Sequence, residues 1–193
     1  MSAPAAPTTD PVGYRREAVE AWLATQVPSL RQPLRWTRLE GGHSNLTYLL
    51  EDADGQRAVI RRPPMGDLLP KAHDMGREWA LISALGPTPV PVPRALGFCQ
   101  DPTVTGAHFY VMGHIDGPPL YTADDARRWA PMDKRITLSH SFIDVLADLH
   151  AVDPDAVGLS DLGKKDSYIE RQLKTWYRSW NASIEGAQLD DPR

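Results

Sequence analysis

The chain has 193 residues, 41% of them hydrophobic, and sets 21 Lys and Arg against 25 Asp and Glu for a net charge of -4. That length suits one domain or a lobe pair with a real core. The negative balance gives no whole-chain field to hold a polyanion, which excludes nucleic acid as the expected partner and leaves room only for a local basic cleft around a small phosphate. Cys99 stands alone, so neither an intramolecular disulfide nor a structural zinc is expected. With no basic leader before an apolar stretch, and no run of ~18 apolar residues, the expected setting is the cytoplasm, away from the membrane.

Residues 1–10, rich in Ala, Pro and Thr, read as a tail with too little apolar surface to offset chain ordering. After Asp10-Pro11, Tyr14, Ala18, Val19, Trp22 and Leu23 recur at helical spacing up to Pro28, which predicts a helix laid across the outside of the following sheet. The next stretch is strand-rich, with strands near 34–40, 46–51 and 56–62, a helix near 73–85, and strands near 93–98 and 107–112. Met75, Trp79, Ile82 and Leu85 form that helix's apolar stripe, Gly86-Pro87 ends it, and Pro87, Pro89, Pro91 and Pro93 stiffen an extended connector. Past Gly117-Pro118-Pro119 the pattern turns helical. Thr122-Ala123-Asp124-Asp125 has the form of a capping box. Leu138, Phe142, Leu146 and Leu149 predict a helix at about 136–150, and Ile169, Leu173, Trp176, Tyr177 and Trp180 another at about 167–181. Both have the faces of core helices awaiting partners, and periodicity fades from Ala182 onward.

Three segments carry candidate chemistry. Gly41 and Gly42 permit positive φ and close approach of backbone amides to an anion, and Ser44 and Asn45 add side-chain donors; in isolation the same residues would make a plain hairpin turn. Along the third strand Val59 and Arg61 face one way, Ile60 and Arg62 the other. Arg61 shares its side with Val59, an apolar wall for a flat base, whereas Arg62, before Pro63, is expected to reach solvent. Glu78 lies beside the buried stripe of its helix, where a carboxylate needs a cation. Arg61 is the natural partner, and the pair would fix a guanidinium for bidentate contact with phosphate oxygens; a surface Glu meeting Arg77 or solvent is the plainer reading. Finally, Phe109 to Gly117 is an apolar strand breaking into a connector. There Met112, the carbonyl of Gly113 and the amide of Ile115 could meet an adenine edge.

The colinear set Gly-Gly-His-Ser-Asn-Leu-Thr at 41–47, Val-Ile-Arg-Arg-Pro-Pro at 59–64, Arg-Glu at 77–78, Pro-Val-Pro-Val-Pro at 89–93, Phe-Tyr-Val-Met at 109–112, Asp-Gly at 116–117 and Leu-His-Ala-Val-Asp at 149–153 resembles the aminoglycoside phosphotransferase-like (choline-kinase-like) family. It is similar in particular to the branch of kinase-like domains attached to some acyl-CoA dehydrogenases. The resemblance implies an α+β, protein-kinase-like fold: a tail and helix over 1–33, an antiparallel five-stranded N-lobe with one helix over 34–113, then a hinge and the first helices of an incomplete α-helical C-lobe over 114–193. It implies that residues 41–45 cover the phosphates of ATP, that Arg61 replaces the usual lysine with Glu78 as its helix partner, and that 112–115 is the adenine hinge. The reaction implied is transfer of the γ-phosphoryl of Mg-bound ATP to the hydroxyl of a small-molecule acceptor. The family's His-Gly-Asp loop and later metal-binding Asp do not occur in the sequence, so no catalytic or metal-ligating residue is assigned, and residues 1–193 alone are expected to be inactive. His150 reads as a helix-end histidine, and Asp144, Asp148 and Asp153 as a solvated face and a turn start. A non-catalytic nucleotide-binding or scaffold protein of the same fold is the alternative.

Overall fold

The computed structural model describes residues 10–39, 45–66, 73–163 and 166–187. Helix α1 (Arg16–Gln26) buries Val19 and Leu23, one turn apart on a single face. It closes with a bond from the Val27 amide to the Leu23 carbonyl, just before Pro28 removes the next donor. Five strands follow, β1 (Arg35–Arg38), β2 (Leu46–Glu51), β3 (Arg57–Arg62), β4 (Ala95–Cys99) and β5 (Phe109–Gly113), with α2 (Met75–Leu85) between β3 and β4. All pairings are antiparallel, in the order β1-β2-β3-β5-β4. The β-β-β-α-β-β order and the residues of β2 are as expected; β4 and β5 begin later than the sequence pattern suggests.

One short element escapes the sequence reading. Helix α3 (Pro102–Thr105) starts where the Asp101 carboxylate accepts the Thr103 amide, has proline at its first position, and stops at Gly106 with φ 81°. Each of these is a helix-end signal, so a single turn was written there in compact form.

The alternation along β3 divides the sheet into two unlike faces. On one side Ile60 packs with Leu23, Leu34, Leu50, Phe109 and Val111, all essentially inaccessible. Trp22 meets the Phe109 ring edge-on at 5.0 Å, and Tyr14 meets Tyr48 at 5.5 Å. Gly97, beside a β-bulge, is required here, because a Cβ would stand 2.9 Å from Trp22 Cη2. Helix α1 contributes Val19 and Leu23 to this core, with Trp22 packed against it. On the other side α2 lies against β4 and β5, with Trp79 stacked on Phe98 at 5.8 Å.

Past β5 the chain is helical: α4 (Ala123–Trp129), α5 (Met132–Ala151), a single 3-10 turn at Ser160–Leu162, and α6 (Tyr168–Ala187). The capping box forms as expected, Thr122 and Asp125 exchanging side-chain and backbone bonds. Helices α5 and α6 run further than the apolar periodicity indicated, since an established helix extends at one hydrogen bond per residue. Their apolar faces stand open: Phe142, Leu173 and Trp176 are 68%, 67% and 70% exposed.

Candidate functional site

The α2 face of the sheet assembles the acid and the base that the sequence pairs. In the β2–β3–β5 ladder, Arg61 lies opposite Thr47 on one side and Tyr110 on the other, so the three side chains leave the sheet on the same face. Asp74 caps α2 by accepting the Arg77 amide, which starts the helix so that Glu78 falls in its first turn. Glu78 then leans over the strand. Arg61 Nε is 3.0 Å from Glu78 Oε2, with side chains 34% and 32% exposed. The angle is outside hydrogen-bond geometry, so the attraction is that of an ion pair. No hydrogen bond of the guanidinium is made among the described residues, which leaves its terminal donors for another acceptor.

Two further groups hold the same carboxylate. The Tyr110 hydroxyl donates to Oε2 at 2.8 Å, and Asn45 Nδ2 donates to Oε1 at 3.3 Å. Asn45, expected to offer its amide toward phosphate, is thus engaged with the acid; its Oδ1 is buried with no hydrogen-bond partner among the described residues. Tyr110 was not singled out from sequence. The available signal was a tyrosine in an apolar strand, because a buried phenol usually seeks a partner for its hydroxyl. Burial, then the Glu78 bond and charge, raise the Tyr110 pKa well above its usual value of 10.0, so it remains a proton donor.

The remaining expected positions fall as follows. Val59 is buried opposite Met112, on the same face as Arg61. Gly113 ends β5 with its amide bonded to the Arg94 carbonyl at 2.8 Å, and Ile115, two residues on, is exposed. Gly41, Gly42 and Ser44 lie outside the described residues. His150 sits exposed in the last turn of α5, and Asp153 Oδ1 accepts the Asp155 amide to start a turn. Among the described residues no group of three or more His, Cys, Asp or Glu is placed to hold a metal ion. No helix of the described residues is long and apolar enough to cross a membrane.

Arg62 contradicts the sequence expectation. It does not reach solvent but is 4% exposed on the α1 face. Its Nη1 donates to the carbonyls of Gly13 and of Thr105 (2.9 Å for the latter), Nε donates to the Pro63 carbonyl at 3.1 Å, and the guanidinium lies 5.8 Å from the centre of the Tyr14 ring. The reason is long-range: Gly13, at φ +84° and with no room for a Cβ beside Leu46, turns its carbonyl inward where α3 ends. A buried cation thus stitches three distant segments through carbonyl oxygens. Burial lowers its pKa, without bringing a guanidinium near neutrality.

A model of the phosphotransferase enzyme family, APH, matches residues 35–192. The chain is 36% identical over 157 residues to the probable acyl-CoA dehydrogenase IBR3 of Arabidopsis thaliana, covering 79% of this chain and 19% of that one. It is 34% identical over 170 residues to the rat acyl-CoA dehydrogenase family member 11, covering 86% and 21%. Among solved structures, a Ralstonia eutropha protein named as an aminoglycoside phosphotransferase superposes with a TM-score of 0.70 at 31% identity, over 86% of this chain and 47% of that one. The chain thus spans about a fifth of the length of these curated relatives and under half of the solved neighbour. A five-stranded antiparallel sheet bearing one helix across its polar face, continuing into helices, is the kinase-like arrangement, present here as part of a domain. By the match over residues 35–192, the chain belongs to the phosphotransferase enzyme family.

Proposed function

We propose that the chain forms the nucleotide-binding part of an ATP-dependent phosphotransferase that moves the γ-phosphoryl group of ATP to the hydroxyl of a small molecule. The observation that carries this reading is the Arg61–Glu78 pair at 3.0 Å on the α2 face of the sheet. A guanidinium restrained by an acid, with no hydrogen bond from its terminal donors among the described residues, fits a polyphosphate, because its planar fork matches two oxygens at once. Val59 and Met112, paired across β3 and β5, supply apolar surface for the base, and the strand end at Gly113 to Ile115 supplies backbone groups for its edge. Gly41, Gly42 and Ser44 would frame the phosphates, with Asn45 holding Glu78 beside them.

Binding of ATP in that position would hold the γ-phosphoryl group at a fixed place, and orientation is the larger part of catalysis for this chemistry. Magnesium, bound with the nucleotide, would offset charge on the phosphates. The residues described here provide no carboxylate set for it, and no step is assigned to it. The His-Gly-Asp loop of the family is not found in the 193 residues. We therefore assign transfer to the protein only where such a loop accompanies this part, and binding to residues 41–115. The acceptor class is a small alcohol; aminoglycosides are named for the solved neighbour and carry no special weight here.

Calorimetric titration of the full-length protein with Mg-ATP tests the reading. Arg61→Ala should weaken binding by about 10- to 100-fold, the range for a charge-assisted phosphate contact. Absence of any binding to the unaltered protein, or an undiminished affinity in Arg61→Ala, would remove the proposal.

A further inference from the structure

Glu78 has three neighbours but only one of them is rigid. Arg61 and Asn45 are reached by a long side chain and a loop-end residue, whereas Tyr110 is 3% exposed and its ring packs 6.4 Å from Trp79, the residue after Glu78 on α2. Its hydroxyl and Arg61 Nε address the same oxygen, Oε2, at 2.8 and 3.0 Å. Because Arg61 and Tyr110 are direct cross-strand partners, the sheet ladder fixes their spacing. We propose that Tyr110 is a positioning residue for the nucleotide: it pins the Glu78 carboxylate over β3 and thereby sets where the Arg61 guanidinium stands. The inference rests on the nucleotide reading above and deepens it.

The physical case is one of preorganisation. Glu and Arg side chains each lose up to ~2 kcal/mol of rotamer freedom when fixed in one geometry, so an exposed pair between them is weakly held unless something else restrains one partner. A buried phenol does this without adding charge. It also cannot turn into an acceptor that would repel the carboxylate, since burial and Glu78 together keep its proton in place. Without the hydroxyl, Glu78 at about one-third exposure can swing toward water or Arg77, and the guanidinium loses its fixed bearing. The base-binding wall of Val59 and Met112 would be unaffected, because neither touches the carboxylate through a polar group.

The test compares ATP with adenosine, which has the base and sugar but no phosphate. In the full-length protein, Tyr110→Phe should weaken Mg-ATP binding by about 5- to 10-fold while changing adenosine affinity less than 2-fold, an effect within the range for one hydrogen bond to a charged group. In an Arg61→Ala background the same substitution should change ATP affinity no further, since the residue through which it acts is gone. Equal losses for ATP and adenosine, an unchanged ATP affinity, or a further loss in the Arg61→Ala background each overturn the role of Tyr110. Failure of the unaltered protein to bind ATP overturns the nucleotide reading and this inference with it, and is told apart by needing no variant. Melting temperature is followed throughout: a fall of more than about 5 °C in Tyr110→Phe with both ligands lost makes the residue structural and overturns the proposal.

Discussion

Arg61 and Arg62 are neighbours on one strand, yet the sheet assigns them opposite environments. Arg61 projects to the α2 face, one-third exposed, near a carboxylate and with no hydrogen bond of its guanidinium among the described residues. Arg62 projects to the α1 face, almost wholly buried, its Nε and Nη1 donating to main-chain carbonyls. The α1 face is a dry aromatic and aliphatic core, and a cation survives there only because three carbonyls surround it. The α2 face keeps a polar cluster partly open to water. One strand therefore presents a stability face and a chemistry face, and charge alone does not tell which arginine belongs to which.

The sharpest way to separate the faces is to damage each in turn. Phe109→Ala removes a ring with no exposure that meets both Trp22 and Tyr14, and should lower unfolding free energy by about 4 kcal/mol, as large-to-small core changes of this kind do. Denaturant melts read that loss, and adenosine and ATP should be affected alike through the folded fraction alone. Arg62→Met should cost about 2–3 kcal/mol, because it keeps apolar volume but leaves inward carbonyls without a donor. Below its reduced melting temperature the Arg62→Met protein should bind Mg-ATP as the unaltered protein does. Arg61→Met should behave in the opposite way, changing stability by less than about 1 kcal/mol, as partly exposed ion pairs do, while carrying the nucleotide loss given above. An Arg62→Met protein that is stable but fails to bind ATP would collapse the distinction between the faces.

Much of this division was legible in the chain. Strand alternation put Arg61 with Val59, helix spacing put Glu78 beside a buried stripe, and together they called for the observed pair. The fate of Arg62 was not legible, because it depends on Gly13 and Thr105, one far upstream and one in an unforeseen turn of helix; local reading saw only Pro63 and inferred an exit to water. Tyr110 was hidden for a similar reason. Its strand reads as uniformly apolar, and nothing nearby shows that the hydroxyl would meet a carboxylate from α2. Helices α5 and α6 were legible as amphipathic helices because periodicity is a local property, but the core packing expected of them is not present among the described residues, where their apolar faces stand open. The first helix shows the converse: its stripe was plain, but only the required glycine at 97 and the Trp22–Phe109 contact reveal that it completes the core.

The smallest effect lies at the hairpin between β2 and β3, which sets the register on which both faces depend. Asp52 is buried at the turn; burial alone would raise its pKa, but its carboxylate accepts the amides of Arg31 at 3.1 Å, Gln56 at 2.8 Å and Asp54 at 2.9 Å, with the Arg31 charge nearby, and the net shift is downward from 3.8. A carboxyl with a depressed folded-state pKa stabilises the fold above its unfolded value and gives that contribution up as pH falls through the folded one. Asp52→Asn keeps one acceptor oxygen for the turn but turns a donor toward the Arg31 amide. The variant should therefore be less stable than the unaltered protein at pH 5 to 7, and the gap should narrow as pH falls below the ordinary carboxyl range, where the unfolded chain takes up a proton that the native carboxylate still resists. Melting temperatures of both proteins across pH 2.5 to 7 check this. Because β3 hangs from this turn, a loss of ATP selectivity over adenosine in Asp52→Asn at neutral pH would mean that register, and not only stability, is fixed by the hairpin. An unchanged selectivity would leave that task to the ladder with β5, where Arg61 meets Tyr110.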